Sequence, residues 1–144
     1  MKKSFVFPGQ GSQKVGMGVE LFKTFRTAKD VFEQVNDSLS KKLSDIIFNG
    51  PQEKLTLTEN AQPAIMAVSM AVIRVLEIDF QVSFKEKINY FAGHSLGEYT
   101  ALAAAKSLSL SDVAKILFFR GENMQKSANK NKTAMAAFMG ADIN

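Results

Sequence analysis

The chain has 144 residues, a formal net charge of +4, no cysteine and one histidine. This length accommodates one domain with one hydrophobic core, and the hydrophobic fraction of 46% is ordinary for a soluble globular protein. The lack of cysteine excludes disulfides, catalytic thiolates and cysteine-based zinc sites, and a single histidine argues against a histidine-based metal site. The Lys/Arg residues form no block dense enough to predict nucleic-acid binding, although the positive charge favours the approach of an acidic partner.

The apolar segments predict a cytoplasmic protein without a membrane partner. Pro8 and Gly9 interrupt the first apolar stretch, which is too short for a secretory signal. The longest apolar segment, residues 64–73, falls well short of the roughly 18–20 residues that a membrane span requires.

The first predicted elements are a strand, a loop and two helices. Residues 4–7 are predicted to form a short buried strand, which the glycine-rich loop 8–13 ends. Apolar residues at helical spacing predict one amphipathic helix over residues 20–39. A second, short helix is predicted over residues 43–48 and ends at the stop signal Asn49-Gly50-Pro51.

The middle of the chain predicts an irregular segment followed by a buried helix. Residues 54–60 are polar, and Asn60 is a candidate N-cap for a helix over residues 61–78. Pro63 is tolerated in the first turn of such a helix. Because the helix is apolar nearly all round, we expect it to be buried on more than one side. Residues 79–87 form a charged connection.

Gly93-His94-Ser95-Leu96-Gly97 matches G-x-S-x-G, the nucleophile elbow. A β-branched and aromatic run over residues 88–92 predicts a buried strand before the motif, and residues 96–105 predict a helix after it. Such a turn strains the serine backbone and exposes its hydroxyl, while the N–H groups at the helix start favour a developing oxyanion. The motif therefore predicts a nucleophilic Ser95; the alternative is a glycine-rich turn with an incidental serine.

A last helix is predicted to start at the capping pair Ser109 and Asp112 and to run to about Ser127. Residues 129–132 are predicted to form a polar linker, and the apolar run 133–139 is predicted to be a strand. Strands that alternate with helices indicate an α/β protein with a mainly parallel sheet.

Arg120 lies on the apolar stripe of this last helix, between Leu117 and Met124. A guanidinium keeps its charge and is costly to bury without a partner, so the stripe predicts a bidentate contact with a protein or ligand carboxylate. Alternatively, Arg120 extends past the edge of the stripe into solvent, or pairs with Glu98 or Glu122.

Several strings together resemble the acyltransferase family of malonyl-CoA:acyl-carrier-protein transacylases, which act in bacterial fatty-acid synthesis. They are Phe7-Pro8-Gly9-Gln10-Gly11-Ser12-Gln13, Asn60-Ala61-Gln62-Pro63-Ala64, Gly93-His94-Ser95-Leu96-Gly97-Glu98-Tyr99 and Arg120-Gly121. The resemblance implies an α/β-hydrolase-like large subdomain, a parallel sheet with flanking helices, of which residues 1–128 are the N-terminal part. Residues 129–144 would then be the linker and the first strand of an incomplete ferredoxin-like small subdomain.

The resemblance also implies transfer of a malonyl group from malonyl-CoA to the phosphopantetheine thiol of acidic acyl carrier protein, through a seryl ester. Ser95 matches the nucleophile, and Gln10 and Leu96 match the residues whose backbone N–H groups form the oxyanion hole. Arg120 matches the arginine that binds the malonyl carboxylate, whereas Gln62 is expected to have a structural role. The chain itself is expected to hold neither a metal nor a cofactor, since the partner carries the phosphopantetheine.

One departure from the family concerns the general base, which the family supplies as a histidine well downstream of the serine. The single histidine here, His94, adjoins Ser95, and successive side chains on a sharp turn point apart. We therefore expect His94 to pack beside the elbow, and the chain to resemble the N-terminal half of a transacylase that is nearly inactive alone. The missing C-terminal half is then a candidate partner. Two other functions stay open: a serine hydrolase such as an esterase, and a non-catalytic remnant.

Overall fold

The structure, a computed structural model, describes residues 2–131. Its two strands, β1 (Ser4–Phe7) and β2 (Tyr90–Gly93), pair in parallel, with Ser4 opposite Tyr90 and Phe7 opposite Gly93. In chain order the helices are α1 (Val19–Thr24), α2 (Arg26–Leu39), α3 (Leu43–Asn49), α4 (Gln52–Thr56), α5 (Thr58–Ile78), α6 (Phe84–Lys87), α7 (Leu96–Ala104) and α8 (Leu110–Asn131). This mixture of parallel strands and helices is a partial α/β fold, as predicted.

The two faces of the small sheet differ in their surroundings, because successive side chains of a strand point to opposite sides. Phe5, Phe7 and Phe91 lie on one face, where their rings stack with centroids 6.2 to 6.5 Å apart and join the core. Val6 and Tyr90 lie on the other face, where they are 71% and 55% exposed. The described helices therefore cover one face of the sheet and leave the other open.

Helix α5 is the centre of the helical layer and packs against α2, α7 and α8. Met66 and Met70 are almost completely buried on it, and Phe32 of α2 and Leu117 of α8 are equally buried against the same core. By length and composition alone, Thr58–Ile78 could cross a membrane, but 61% of its apolar 18-residue stretch is buried inside this fold. Core packing thus accounts for the apolar sequence of α5.

The helix predicted over residues 20–39 is in fact two helices. Phe25 separates α1 from α2 in an extended conformation, with φ −116° and ψ 122°. The ring of Phe25 lies 5.9 Å from that of Phe80, centroid to centroid. The extended residue at this corner turns the chain while its side chain still makes an apolar contact, so the helical spacing of apolar residues continues across the break.

The prediction of an irregular segment over residues 54–60 is also wrong, because these residues include the end of α4 and the first turn of α5. Asn60 lies inside α5 rather than at its N-cap. Its buried side chain accepts a hydrogen bond from Lys41 Nζ at 2.6 Å and donates one to the Lys54 carbonyl at 2.8 Å. These contacts satisfy the amide within the fold, so Asn60 does not cap the helix, and Pro63 falls in the second turn.

The prediction of a charged connection over residues 79–87 is wrong in part, because the short helix α6 lies within it. The two strands were predicted to be buried, but Phe7 is the one buried residue of β1 and β2. Asp112 N–H donates to Ser109 Oγ at 3.0 Å and Ser109 Oγ donates to Asp112 Oδ2 at 2.6 Å, which confirms the predicted capping pair. Helix α8 continues to Asn131, past the predicted end at Ser127, because the polar segment there contains neither Gly nor Pro to stop it. The strand predicted over residues 133–139 lies outside the described residues.

Candidate functional site

Ser95 occupies a tight, strained turn between β2 and α7. Its φ of 54° and ψ of −113° are unfavourable for a residue with a Cβ and persist only where the surroundings fix them. The Gly97 N–H donates to the His94 carbonyl at 2.9 Å, and the Glu98 N–H donates to the Ser95 carbonyl at 3.2 Å. The strained strand-to-helix turn predicted from the motif is therefore present, and it leaves Ser95 exposed.

The two glycines of the motif permit direct contact between backbones. A Cβ on Gly93 would overlap the backbone of Gly97 and Glu98, and a Cβ on Gly97 would lie 2.9 Å from the Pro8 carbonyl oxygen. Since neither site has room for a side chain, the start of α7 packs directly against both β2 and the end of β1.

The loop after β1 lies beside the elbow. His94 N–H donates to the Phe7 carbonyl at 3.2 Å, and a Cβ on Gly9 would overlap the imidazole of His94. His94 thus packs against this loop, as expected. Next to Gly9, the Gln10 side chain donates through Nε2 to Thr58 Oγ1 at 3.3 Å, which ties the loop to the start of α5.

The backbone N–H groups of Gln10 and Leu96 are both free donors within residues 2–131, where neither has a hydrogen-bond acceptor. The Leu96 N–H opens α7, so it also lies at the positive end of the helix dipole. Two free N–H groups, one at the elbow and one in the loop packed against it, have the chemistry of an oxyanion hole.

Arg120 extends from α8 to Ser95. Its Nη2 donates to Ser95 Oγ at 3.2 Å, its Nη1 donates to Gln62 Oε1 at 2.6 Å, and its guanidinium lies 5.8 Å from the centroid of the Tyr99 ring. The cation that the stripe places on the inward side of α8 therefore contacts the serine of the elbow.

Arg120 adopts neither of the alternatives considered from the sequence. It is partly buried rather than fully in solvent, and among residues 2–131 no carboxylate lies within 4.0 Å of its guanidinium. Glu122 instead lies 3.9 Å from Lys126 Nζ. A cation that is fixed and unneutralised in this way is suited to bind the carboxylate of a ligand.

Gln62 contacts this site, although the sequence predicts only a structural role for it. It is fully buried on α5, where its Oε1 accepts the hydrogen bond from Arg120 and its Nε2 lies 3.4 Å from Met124 Sδ. One feature of the sequence could have indicated this contact: Gln62 is a polar amide in an otherwise apolar stretch of a helix predicted to be buried. A buried amide requires a polar partner.

Gly121 brings the two helices of the site together. A Cβ there would lie 2.5 Å from Glu59 Cα and 2.6 Å from the Thr58 carbonyl oxygen, so α8 and the start of α5 touch backbone to backbone. Thr58 is also the residue that binds the Gln10 side chain. The elbow, the β1 loop, α5 and α8 therefore meet around Ser95.

The described residues offer no general base beside the serine. Among residues 2–131, the hydrogen bond to Ser95 Oγ comes from Arg120, a donor that cannot accept a proton, and His94 makes none with it. Across the same part of the chain, no group of three His, Asp or Glu side chains is arranged to hold a metal ion. A separate cleft of about 590 Å³, lined by Phe84, Phe91 and Lys106 among others, lies at the far end of α7 from Ser95.

Residues 4–142 match the family of acyl transferase domains. The malonyl CoA-acyl carrier protein transacylase of Bacillus subtilis (strain 168) is 45% identical in an alignment 144 residues long, which covers 98% of this chain and 43% of that protein. The crystal structure of acyl-carrier-protein-S-malonyltransferase from Bartonella henselae is similar with a TM-score of 0.85 and 58% identity, over 87% of this chain and 40% of that one. A malonyl-transacylase in complex with a type II PKS acyl-carrier protein is similar with a TM-score of 0.81 and 35% identity, over 88% and 40% of the two chains.

The chain thus spans about two fifths of the length of the relatives that it matches. The family match nevertheless covers almost every residue present, and the elbow, the free N–H groups and the unneutralised arginine lie within it. The chain therefore belongs to the acyl transferase domain family.

Proposed function

We propose that this chain carries the nucleophile and the acyl-binding residues of a transacylase that moves a malonyl group from malonyl-CoA to the phosphopantetheine thiol of acyl carrier protein, in fatty-acid synthesis. The observation that carries the proposal is the contact of 3.2 Å between Arg120 Nη2 and Ser95 Oγ. It puts a cation that has no carboxylate partner within residues 2–131 beside the proposed nucleophile, which suits an acyl group that itself ends in a carboxylate.

In the first half of the reaction, Ser95 Oγ attacks the thioester carbonyl carbon and the C–S bond then breaks. The oxygen of the tetrahedral intermediate accepts hydrogen bonds from the N–H groups of Gln10 and Leu96, and the start of α7 stabilises its charge. Coenzyme A leaves as the thiol, with the proton that the serine gives up. The product of this half is a malonyl ester on Ser95.

Arg120 would hold the other end of the acyl group. The malonyl carboxylate would replace Ser95 as the acceptor for Nη2, which frees the serine oxygen for attack as the substrate binds. A neutral acyl group has no carboxylate to offer, so it leaves the guanidinium hydrogen-bonded to the nucleophile.

In the second half, the thiol of acyl carrier protein attacks the ester carbonyl and Ser95 regains its proton. The net positive charge of +4 favours encounter with an acidic carrier protein, and a related malonyl-transacylase has been solved with an acyl-carrier protein bound. The proposed setting is the cytoplasm, where the reaction requires no bound metal or cofactor on this chain.

The general base belongs to a further polypeptide segment in this proposal. The sequence contains no histidine other than His94, and His94 packs on the β1 loop. A histidine from a C-terminal half would complete the site, so the 144-residue chain alone should acylate slowly, by a factor on the order of 10³–10⁶ below a complete enzyme.

The direct experiment is to incubate the purified chain with malonyl-CoA for hours and to measure its intact mass, with Ser95→Ala as the control. We expect the mass of one malonyl group to appear on Ser95 of the wild-type chain, more slowly with acetyl-CoA, and not at all in Ser95→Ala. Equal labelling by the two thioesters would favour a serine hydrolase. Absence of Ser95 labelling would favour a non-catalytic remnant.

A further inference from the structure

Gln62 connects the cation of the site to the buried core. Its amide is fully buried and lies between Arg120 and Met124. A guanidinium carries only donors, so Gln62 has to present its oxygen to Arg120, and its NH₂ group then points to the weak acceptor Met124 Sδ. The chemistry of the two neighbours therefore fixes which way the amide faces.

The hydrogen bond from Gln62 is the directional contact that holds the guanidinium in place. Arg120 has no carboxylate partner among residues 2–131, and its contact with the Tyr99 ring, at 5.8 Å, constrains distance more than direction. With Nη1 fixed 2.6 Å from Gln62 Oε1, Nη2 is left 3.2 Å from Ser95 Oγ.

We propose that Gln62 is a positioning residue that sets the distance between the carboxylate-binding cation and the nucleophile. It thereby selects acyl groups in which one carbon separates the carboxylate from the thioester carbonyl. This inference rests on the proposed function, because it gives Arg120 the role of binding the substrate carboxylate.

The length of the acyl group follows from covalent geometry. In a malonyl group the carbonyl carbon and the carboxylate carbon share one methylene and lie about 2.5 Å apart, and each further methylene adds about 1.3 Å in an extended chain. A cation that lies in hydrogen-bond contact with the nucleophile suits the shortest of these groups. A succinyl or glutaryl group would require Arg120 to retreat, and the hydrogen bond to Gln62 opposes that movement.

The neutrality of Gln62 is as important as its oxygen. A carboxylate at the same place would form a short ion pair with Arg120 and compete with the substrate for the guanidinium. The amide orients the cation and leaves its whole charge for the ligand.

The test measures the binding of malonate, succinate and acetate to the folded 144-residue chain by NMR titration, with the Arg120 side-chain N–H signals as reporters. We expect the wild-type chain to bind malonate more tightly than succinate, and acetate most weakly. Gln62→Glu should weaken malonate binding by about tenfold, since it neutralises the cation. Gln62→Met, which keeps the volume and removes the acceptor, should abolish the preference for malonate over succinate.

The matched control is Gln34→Glu, the same chemical change on α2, where Gln34 Nε2 contacts Ser111 Oγ instead. This variant should bind malonate as the wild-type chain does. If both Gln62 variants keep the wild-type affinity and the wild-type preference, Gln62 does not position Arg120 and the inference is overturned, while the proposed function stands. If the wild-type chain itself binds malonate no better than acetate, the carboxylate role of Arg120 fails, and the proposed function fails with it.

Discussion

At the scale of single residues, the proposed function gives the charge of Arg120 the role of selecting the acyl group. The guanidinium is partly buried and has the neutral Gln62 and Ser95 as its hydrogen-bond partners. A cation held away from water gains most when a ligand brings the opposite charge in bidentate geometry. A neutral acyl group gains nothing from it.

Replacement of Arg120 should therefore change selectivity rather than simply reduce reactivity. Arg120→Ala should lower the initial rate of Ser95 malonylation roughly tenfold to a hundredfold, because two charge-assisted hydrogen bonds to the carboxylate are lost. Acetylation of Ser95 should not fall, because the variant also removes the hydrogen bond that ties Ser95 Oγ to the guanidinium. Intact-mass measurements with each thioester give the two rates.

Arg74→Ala is the matched control for this variant, since Arg74 pairs with Glu77 at 3.4 Å and lies outside the site. Its malonyl and acetyl rates should match those of the wild-type chain. Equal losses of both rates in Arg120→Ala would show that the arginine supports the nucleophile without selecting the acyl group.

These residues differ in how far the sequence alone predicts them. The strained turn at Ser95 follows from a local motif, and the inward placement of Arg120 follows from helical periodicity. The contact between Arg120 and Gln62 joins positions 58 residues apart, and the contact with Ser95 joins positions 25 apart. Local patterns carry no information on such pairs. The resemblance to a family implied a binding role for Arg120, whereas Gln62 was expected to have only a structural role.

At the scale of elements, the site depends on the close approach of α5 and α8. Gly121 permits this approach, since a Cβ there would lie within 2.7 Å of three backbone atoms of Thr58 and Glu59. Arg120 is its neighbour in sequence, so the spacing of the two helices also sets the reach of the guanidinium.

Gly121→Ala should therefore destabilise the fold, by about 1–3 kcal/mol of unfolding free energy. The sign of this change in unfolding free energy is informative, because a Gly→Ala change in an uncrowded helix would stabilise the fold by up to about 1 kcal/mol. Urea unfolding followed by circular dichroism measures the difference.

The control on the same helix is Lys115→Ala, on its exposed side, which should stay within about 0.5 kcal/mol of the wild-type chain. Unchanged or increased stability of Gly121→Ala would show that α5 and α8 are not in backbone contact. Gly121→Ala should also slow the labelling of Ser95, because α5 and α8 must move apart to make room for the added methyl group.

The elements themselves were predictable where their signals are local. β1, α7 and the Ser109–Asp112 cap are marked by strand formers, helix formers and a capping pair within a few residues. The break at Phe25 was not predictable from periodicity, because apolar spacing continues on both sides of one extended residue. Helix α4 was missed because it is short and polar, and Leu55 is its one buried residue.

At the scale of the whole molecule, the described residues form one side of an acyl transferase site. Ser95, the free N–H groups and the cation come from three separate parts of the chain, namely the β1 loop, the elbow and α8, which meet around Ser95. Within residues 2–131 the sheet has two strands, and Val6 and Tyr90 on its open face are 71% and 55% exposed. Together with the relatives of more than twice this length, these observations support the proposal that a further segment supplies the base and covers this face. The division into subdomains at residues 128 and 129 stays a prediction.

The most direct measurement is a crystal structure of the Ser95→Ala chain with malonyl-CoA bound. We predict that the malonyl carboxylate lies within hydrogen-bond distance of the Arg120 guanidinium, with Gln62 still bound to Nη1, and that the thioester oxygen faces the N–H groups of Gln10 and Leu96. A structure in which Arg120 points into solvent, or in which the loop of Gln10 lies away from the thioester, would contradict this account.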